Sequence, residues 1–301
     1  MSARRRLVAG ILWALAATAC APVAFAGPEC GPTTTGIPLP PEIDETSGIA
    51  ISQRDPGVLW THNDDGAVLY AIDSSGRLLA SYRIRPRLRD WEDIAVGECG
   101  DPGWCLYLAD LGDNDETRAA GSIRIVRLQE PQVDHDRLNE VSDRRLEGDV
   151  FPIRLPDGPR DVEALLVLPG ERVYVVTKGR NHPITVYRYP DRLRPDTVTL
   201  VDVQRLTDDA TSLADQVTGA SVEPGGSIVA IRTYQAIEFF RMEADTLARS
   251  DGGLVNLRSL REIQGEAVGL GADGLVVTTS EGGPFGGSPV MNLLRCEWTG
   301  L

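Results

Sequence analysis

The strongest constraint on the fold of this chain is a short motif that recurs five times along its length. Each copy reads polar-x-[Glu/Ser/Thr]-small-apolar and precedes a short loop and a run rich in β-forming residues. Self-similarity of this kind predicts a repeat architecture, in which each copy belongs to one supersecondary unit. The copies are ETSGI at 45–49, DWEDI at 90–94, DVEAL at 161–165, QVTGA at 216–220 and QGEAV at 264–268.

The repeat predicts a β-propeller, because four strand-like runs follow most copies and tandem four-stranded units form propeller blades. The third motif residues, Ser47, Glu92, Glu163, Thr218 and Glu266, are 45, 71, 55 and 48 residues apart. We therefore predict an all-β fold with five four-stranded blades, the long second interval holding an inserted loop over 134–145. Six blades are the alternative, if that interval contains a degenerate blade. Fourth strands are expected at LLASYRI, DVFPIRL, TVTLVDV and LVNLRSL.

The last motif copy is one strand short of a blade, since only 35 residues separate Glu266 from Leu301. Residues 27–46 supply 20 more, including the strand-like run TTTGIPLP. We expect this N-terminal segment to form the outer strand of the last blade and so to close the ring.

The N-terminus predicts an export signal over residues 1–26. Arg4, Arg5 and Arg6 form a basic region, an apolar run covers 7–19, and Ala-Phe-Ala at 24–26 is an A-x-A cleavage site. The mature chain, 27–301, is then a single propeller domain in the extracellular space. Lipid attachment at Cys20 is the alternative, although Ala stands where such motifs usually have Leu.

The mature chain has four cysteines, and an even number in an exported chain implies two disulfides. Cys99 and Cys105 flank a turn, so we expect them to link one hairpin. Cys30 and Cys296 would then pair near the two ends of the mature chain and lock the closing strand in place.

The net charge of the chain limits the kinds of molecule that it is expected to bind. Loss of the three N-terminal arginines takes the formal net charge from -14 to -17. Such a surface repels nucleic acid and anionic lipid and favours cations. We therefore expect no nucleic acid and no membrane insertion of the mature form, but a small polar ligand or an extracellular protein as the partner.

Polar residues cluster where each first strand begins and each second strand ends. In a propeller these points open on one face of the disc, so we expect their side chains at one mouth of the central channel. The predicted metal ligands are Asp64, Asp90, Glu92, Asp110, Asp113 and Asn114. The predicted ligand-binding residues are His62, Asn63, Lys178, Arg180, His182, Arg232 and Glu281, and the candidate catalytic groups are Glu92, Glu163, Glu266 and Lys178, the only lysine.

The chemistry of this acidic funnel favours Ca²⁺ as its cofactor. Carboxylates that face one channel repel one another and need protons, cationic partners or a metal. Oxygen ligands suit Ca²⁺ better than a transition metal, and the mouth histidines lack the third partner of a zinc site. The alternative is structural: each strand-start acid merely accepts hydrogen bonds from neighbouring backbone amides.

The segments LWTHND, DWEDIA, LYLADLGDN and VEAL resemble a family of exported bacterial β-propellers, distantly similar to phytase-like propellers. The resemblance covers most of the mature chain and is weakest in the fourth blade, where Thr218 replaces the acid. It implies a propeller with an acidic, calcium-binding funnel. Phytase-like members hydrolyse phosphoesters there with a basic set for phosphate, which here would be Lys178, Arg180 and Arg232 only.

Three functions are therefore open. The leading hypothesis is a secreted binding propeller whose funnel holds Ca²⁺ and a polar, oxygen-rich ligand. The second is a hydrolase that uses the same funnel, either on phosphoesters with calcium as clamp and Lewis acid or on glycosides with a pair of carboxylates. The third is an extracellular protein-interaction scaffold with no catalytic site.

Overall fold

The computed structural model describes residues 26–100, 103–134, 141–283 and 287–298, with the backbone alone for 141–144. The predicted export signal and Cys20 lie in residues 1–25, outside these ranges. None of the helical turns within them is long and apolar enough to cross a membrane. The strands are β1 (Glu29–Pro38), β2 (Thr46–Ile51), β3 (Val58–Asn63), β4 (Val68–Asp73), β5 (Leu78–Arg85), β6 (Asp93–Glu98), β7 (Trp104–Asp110), β8 (Ile123–Gln129), β9 (Val141–Glu147), β10 (Asp149–Arg154), β11 (Val162–Leu168), β12 (Arg172–Thr177), β13 (Thr185–Arg188), β14 (Val198–Thr199), β15 (Val201–Arg205), β16 (Val217–Val222), β17 (Ile228–Thr233), β18 (Ala236–Glu243), β19 (Thr246–Asn256), β20 (Gln264–Leu270), β21 (Leu275–Glu281) and β22 (Val290–Glu297).

The strands form five sheets, and their order makes each sheet a propeller blade. In every blade the innermost strand pairs antiparallel with the strand that follows it in the chain. The inner strands β2, β6, β11, β16 and β20 contact one another in a closed ring. The predicted five-bladed β-propeller is thereby confirmed, and the six-bladed alternative is excluded.

The blades are held together by apolar packing between their faces. Five hydrophobic clusters of buried residues lie one at each interface between neighbouring blades. Both faces of a blade are therefore covered, which explains why runs such as 164–168 are apolar without alternation. Every residue of β11 is buried.

Four of the five inner strands carry a β-bulge near their start. The register with the second strand shifts at Ser47, at Glu163, at Thr218 and across Glu266. These are the third residues of the repeated motif. A bulged residue is left out of the ladder and its side chain is re-aimed, so the motif marks the positions whose side chains leave the sheet pattern at the channel mouth.

The N-terminal strand closes the ring as predicted. Strand β1 pairs antiparallel with β22 as the outer strand of the last blade, with Cys30 in register with Cys296. A disulfide joins these two residues, and a second joins Cys99 to Cys105. Both predicted pairings are confirmed.

Three details of the outer strands differ from the sequence prediction. Part of the expected inserted loop is strand β9, which adds to β5 in parallel. The run TVTLVDV is split, since β14 pairs in parallel with β10 of the second blade while β15 completes the third. The fourth strand of blade four is β19, earlier than LVNLRSL, whose end forms a short 3-10 turn. Edge pairings of this kind depend on which neighbour lies close in space rather than on the local pattern.

Candidate functional site

Three buried carboxylates converge between blades two and three. Glu92 lies just before β6, while Asp161 precedes β11 and Glu163 is its bulged residue. One oxygen from each side chain lies within 4.8 Å of the other two. We call these residues the carboxylate triad. An arrangement of this kind can hold a metal ion or share protons.

Lys178, which directly follows β12, is the cation beside the triad. Its Nζ lies 2.5 Å from Glu163 Oε1 and 3.6 Å from Asp161 Oδ2. Burial alone would lower the pKa of this ammonium, but the charges of Glu163 and Asp161 outweigh burial and raise it. Burial raises the pKa of Glu163 to about 7, even though the Lys178 charge opposes the rise. Lys178 therefore remains charged and neutralises only part of the triad.

A glycine lets a fourth carboxyl approach. A Cβ built on Gly112 would clash with Glu92 Oε1 and with the Asp90 carboxyl group. Burial, followed by the charges of Glu163 and Asp90, raises the pKa of Glu92 well above its ordinary value. The Asp90 carboxyl is hydrogen-bonded to Glu92, although burial raises its pKa as well. Because Gly112 has no Cβ, the backbone just after β7 leaves room for the Asp90 carboxyl beside the triad.

The structure places three of the predicted metal ligands outside the triad. Asp110 forms ion pairs with Arg118 at 3.1 Å and Arg124 at 2.7 Å. Asp113 accepts hydrogen bonds from the backbone N–H groups of residues 117 and 118. The Oδ1 atom of Asn114 accepts a hydrogen bond of 2.7 Å from Arg180 Nη2. These side chains behave as the structural alternative expects.

Asp64, the remaining predicted ligand, belongs to a second acidic group between blades one and five. Burial, then the Glu45 charge, raises its pKa to about 6. Glu266 and Glu281 lie on the other side of this group, both bonded to the amide of Gln264, at 2.8 and 2.9 Å. The mouth therefore holds two acidic groups, and among the described residues only the first brings three carboxylate oxygens within the span of one ion.

His62 and Asn63 have structural surroundings. The His62 ring is fully buried and stacks on Trp91 with ring centroids 4.0 Å apart. Its Nδ1 donates to the Asn63 carbonyl at 2.9 Å, and burial lowers its pKa to about 4. The Asn63 side chain donates to Glu42 O and to Asp44 Oδ1. The imidazole is therefore neutral and does not reach the triad.

The other basic residues predicted to bind a ligand lie in two places, at the rim of the funnel and in the protein interior. Arg180 lies at the rim, with its Nη2 3.7 Å from Asp161 Oδ2 and about a third of its side chain exposed. His182 lies farther out, 3.3 Å from Glu116. Arg232 is fully buried and ion-paired to Glu262. Its guanidinium also donates to two backbone carbonyls, so it is committed to the interior.

Two members of the site were not among the predicted ligands. Asp161 stands two residues before Glu163, the same spacing as Asp90 and Glu92, and this repeat of the spacing was the available signal. Tyr234 follows β17, and burial, then the charge of Glu266, raises the pKa of its hydroxyl. Nothing in the local sequence distinguishes that tyrosine from a core residue.

Neither a family model nor a curated protein sequence matches this chain. An aldose sugar dehydrogenase from Streptomyces coelicolor, solved in its PQQ-bound form, is 12% identical and has a TM-score of 0.54, over 91% of this chain and 100% of its own. A gluconolactonase from Xanthomonas campestris is 15% identical over 84% of this chain and 72% of its own, with a TM-score of 0.43. A glucose dehydrogenase is 11% identical over 89% and 98%, with a TM-score of 0.48. The first likeness shows a shared propeller fold and nothing finer.

We expect the metal-free protein to be more stable at about pH 5 than at about pH 8.5. Burial raises the pKa of Glu266 to about 8 and that of Glu281 to about 7. Between the unfolded values near 4.5 and these folded values, the folded state binds more protons than the unfolded state. Stability therefore falls as the pH rises through this window. Thermal unfolding in metal-free buffers checks the sign, and Glu266→Gln should flatten the slope. A melting temperature that rises across the window would contradict it.

Proposed function

We propose that the propeller is a secreted binding protein whose carboxylate triad holds Ca²⁺, through which an oxygen-rich ligand binds in the funnel. The observation that carries the proposal is the convergence of three buried carboxylate oxygens within 4.8 Å. Oxygens bound to one Ca²⁺ at 2.3–2.6 Å can be at most about 5 Å apart. The spacing of Glu92, Asp161 and Glu163 thus suits a single ion.

Charge supports a divalent cation. Three ionised carboxylates and the Lys178 ammonium carry a net charge of -2. Burial makes such an uncompensated charge costly, and protonation is the alternative way to reduce it. Asp161 Oδ2 accepts no hydrogen bond from any described residue. An ion beside this oxygen, with Lys178 kept on Glu163, would compensate the charge without a proton.

The rim supplies groups for the rest of the ligand. The guanidinium of Arg180 and the imidazole of His182 are partly exposed, with 35% and 42% of their side chains accessible. Ca²⁺ accepts ligand oxygens in the positions that the protein leaves open. A polar molecule with hydroxyl or carboxylate oxygens would therefore meet the ion below and hydrogen-bond donors at the rim.

The two disulfides indicate an oxidising compartment. The disulfides therefore support the predicted export. Extracellular calcium-binding modules have dissociation constants of about 10⁻⁴–10⁻³ M. A site built from three carboxylates with one already shared by Lys178 fits that weak range better than a tight intracellular one.

A hydrolase is the second candidate, because Glu163 has a pKa of about 7 and could hold or release a proton at neutral pH. The distances exclude one form of it. Inverting glycosidases need about 6.5–9.5 Å between their carboxyl groups and retaining ones about 5–5.5 Å, so triad oxygens within 4.8 Å are too close for inversion and nearer to the retaining separation. For phosphoesters, Lys178 is already bonded to Glu163, which leaves Arg180 as the nearby cation. Assays of purified protein with sugar and phosphoester substrates, compared with Glu163→Gln, test this candidate directly.

We expect calcium to raise the melting temperature of the wild type, by the equivalent of about 2.7 kcal/mol at a hundred times its dissociation constant. Glu92→Gln should abolish this gain. Without metal the same substitution should be close to neutral, because burial and the charges of Glu163 and Asp90 raise the pKa of Glu92 and so disfavour its ionised form. Melting curves with calcium and with chelator measure both effects.

Asp113→Asn is the matched control. Its carboxylate caps a turn through two backbone N–H groups, so the substitution should cost stability equally with and without calcium while the calcium gain remains. If wild type melts identically in calcium and chelator, the metal site is disproved and the scaffold function remains.

A further inference from the structure

A row of unpaired arginines lies on the outer part of blade one. The alternating sequence YRIRPRLR places Arg83 and Arg85 on β5, Arg87 and Arg89 in the segment after it, and β9 brings Arg145 beside them. All five side chains are exposed. In the part of the chain that the structure describes, none of these guanidinium groups forms an ion pair or a hydrogen bond, although the chain carries a net charge of -14.

Four of these arginines surround one concave groove. It has a volume of about 520 Å³ and is lined by Arg83, Arg85, Arg87 and Arg145 together with Val68, Ile84 and Pro86. The loop between β3 and β4 borders it through residues 66–68. The same loop begins at Asp64 in the funnel mouth, so the groove opens on the funnel side of the disc. We call it the arginine groove.

Like charges face each other in the arginine groove. Arg83 and Arg145 stand directly opposite each other on neighbouring parallel strands, and like charges in this position destabilise a sheet. Glu147 stands opposite Arg85, but the two do not approach within the 4.0 Å of an ion pair. Among the residues that the structure describes, no carboxylate lies within ion-pair distance of these four guanidinium groups.

We propose that the arginine groove binds a ligand that carries two phosphate groups. Four guanidinium groups carry four positive charges, and a phosphate monoester carries about 1.5 to 2 negative charges and three acceptor oxygens. Two phosphates therefore match the charge, whereas single carboxylates would require four groups in the same 520 Å³. The planar guanidinium fork also suits phosphate oxygens.

The floor of the groove supports a small ligand. Val68 and Pro86, both half-buried, offer apolar surface between the charged groups, against which a small ligand with two phosphates can pack. This site is separate from the carboxylate triad and needs no calcium. The proposal can therefore be tested independently of the proposed function.

Inorganic pyrophosphate is the probe, titrated into metal-free protein by calorimetry so that no calcium can bridge it to the funnel. We expect saturable binding that weakens with salt, since each charge contact is screened. Arg83→Gln and Arg145→Gln should each lower the affinity about tenfold, the equivalent of about 1.4 kcal/mol. Arg205→Gln is the matched control, because Arg205 is an exposed, unpaired arginine at the end of an outer strand in blade three. It should leave the affinity unchanged.

A second readout separates binding from folding. Without pyrophosphate, Arg145→Gln should keep or raise the melting temperature, because it removes the repulsion from Arg83; with pyrophosphate it should lose the stabilisation seen in wild type. The proposal is overturned if pyrophosphate does not bind, if inorganic phosphate binds equally well, or if Arg205→Gln weakens binding as much as the groove variants. Binding only to vesicles of phosphatidylcholine with phosphatidic acid, and not to soluble pyrophosphate, would also contradict it.

Discussion

Glu262→Gln should destabilise the protein by about 3–5 kcal/mol, because it leaves a buried charge without its partner. Glu262 Oε2 is ion-paired to Arg232, which is fully buried, and Oε1 accepts from Thr278 at 2.7 Å and from Asn292 at 2.8 Å. With Oε1 held by these donors, the new amide nitrogen would face the Arg232 guanidinium donor to donor. Urea unfolding of wild type and variant measures the difference.

Asp273→Asn is the control, since it makes the same acid-to-amide change in an Arg–Asp pair. That pair, with Arg295, has both side chains more than half exposed. Exposed pairs contribute about 0–1 kcal/mol, so the loss should be small. Equal losses in the two variants would contradict the view that burial makes the Arg232–Glu262 pair important.

Replacing both Cys30 and Cys296 by serine should cost about 5.6 kcal/mol in the chain-entropy model of disulfides. This bond closes a loop of 266 residues, and the unfolded chain gains correspondingly more freedom when it is removed. The Cys99–Cys105 bond closes only 6 residues, so its double serine variant should lose about 2 kcal/mol. Denaturant unfolding of the two variants tests the ranking.

The opposite ranking would contradict the closure argument. It would mean that the pairing of β1 with β22 holds the ring shut without help from the covalent bond, or that the short hairpin bond is needed for blade two to fold.

The fold was predictable from the sequence because the motif that marks the start of a blade is repeated along the chain. A five-residue motif recurs in every blade, four of its five copies have a β-bulge at the third residue, and its period reports blade length directly. The closing strand could be inferred by counting what the last blade lacked. Strands β9 and β14 could not, since each pairs in parallel with the outer strand of a blade, and the distance between those segments is set by the assembled ring.

A gathering of acids around one end of the channel was predictable from the sequence, but which of these acids converge was not. In sequence, Asp110 and Glu163 are both acids at a strand terminus, Asp110 at the end of the second strand β7 and Glu163 at the start of the inner strand β11. They differ because Asp110 has Arg118 and Arg124 beside it in space, whereas Glu163 meets other acids and Lys178. Which acids are neutralised depends on side chains in the third strand and its loops, where the motif has no counterpart.

The bulges also have an evolutionary consequence. A bulged residue takes no part in the ladder, so the strand can accept a different side chain there without a change in pairing. Each blade contributes one such position at the channel mouth. They are the bulge positions Ser47, Glu163, Thr218 and Glu266, with Glu92 as the equivalent residue of blade two. Three hold acids and two hold hydroxyls. A single substitution at one of these positions changes the charge at the channel mouth. A lineage with this fold can therefore acquire a new ligand in single steps while the fold stays constant.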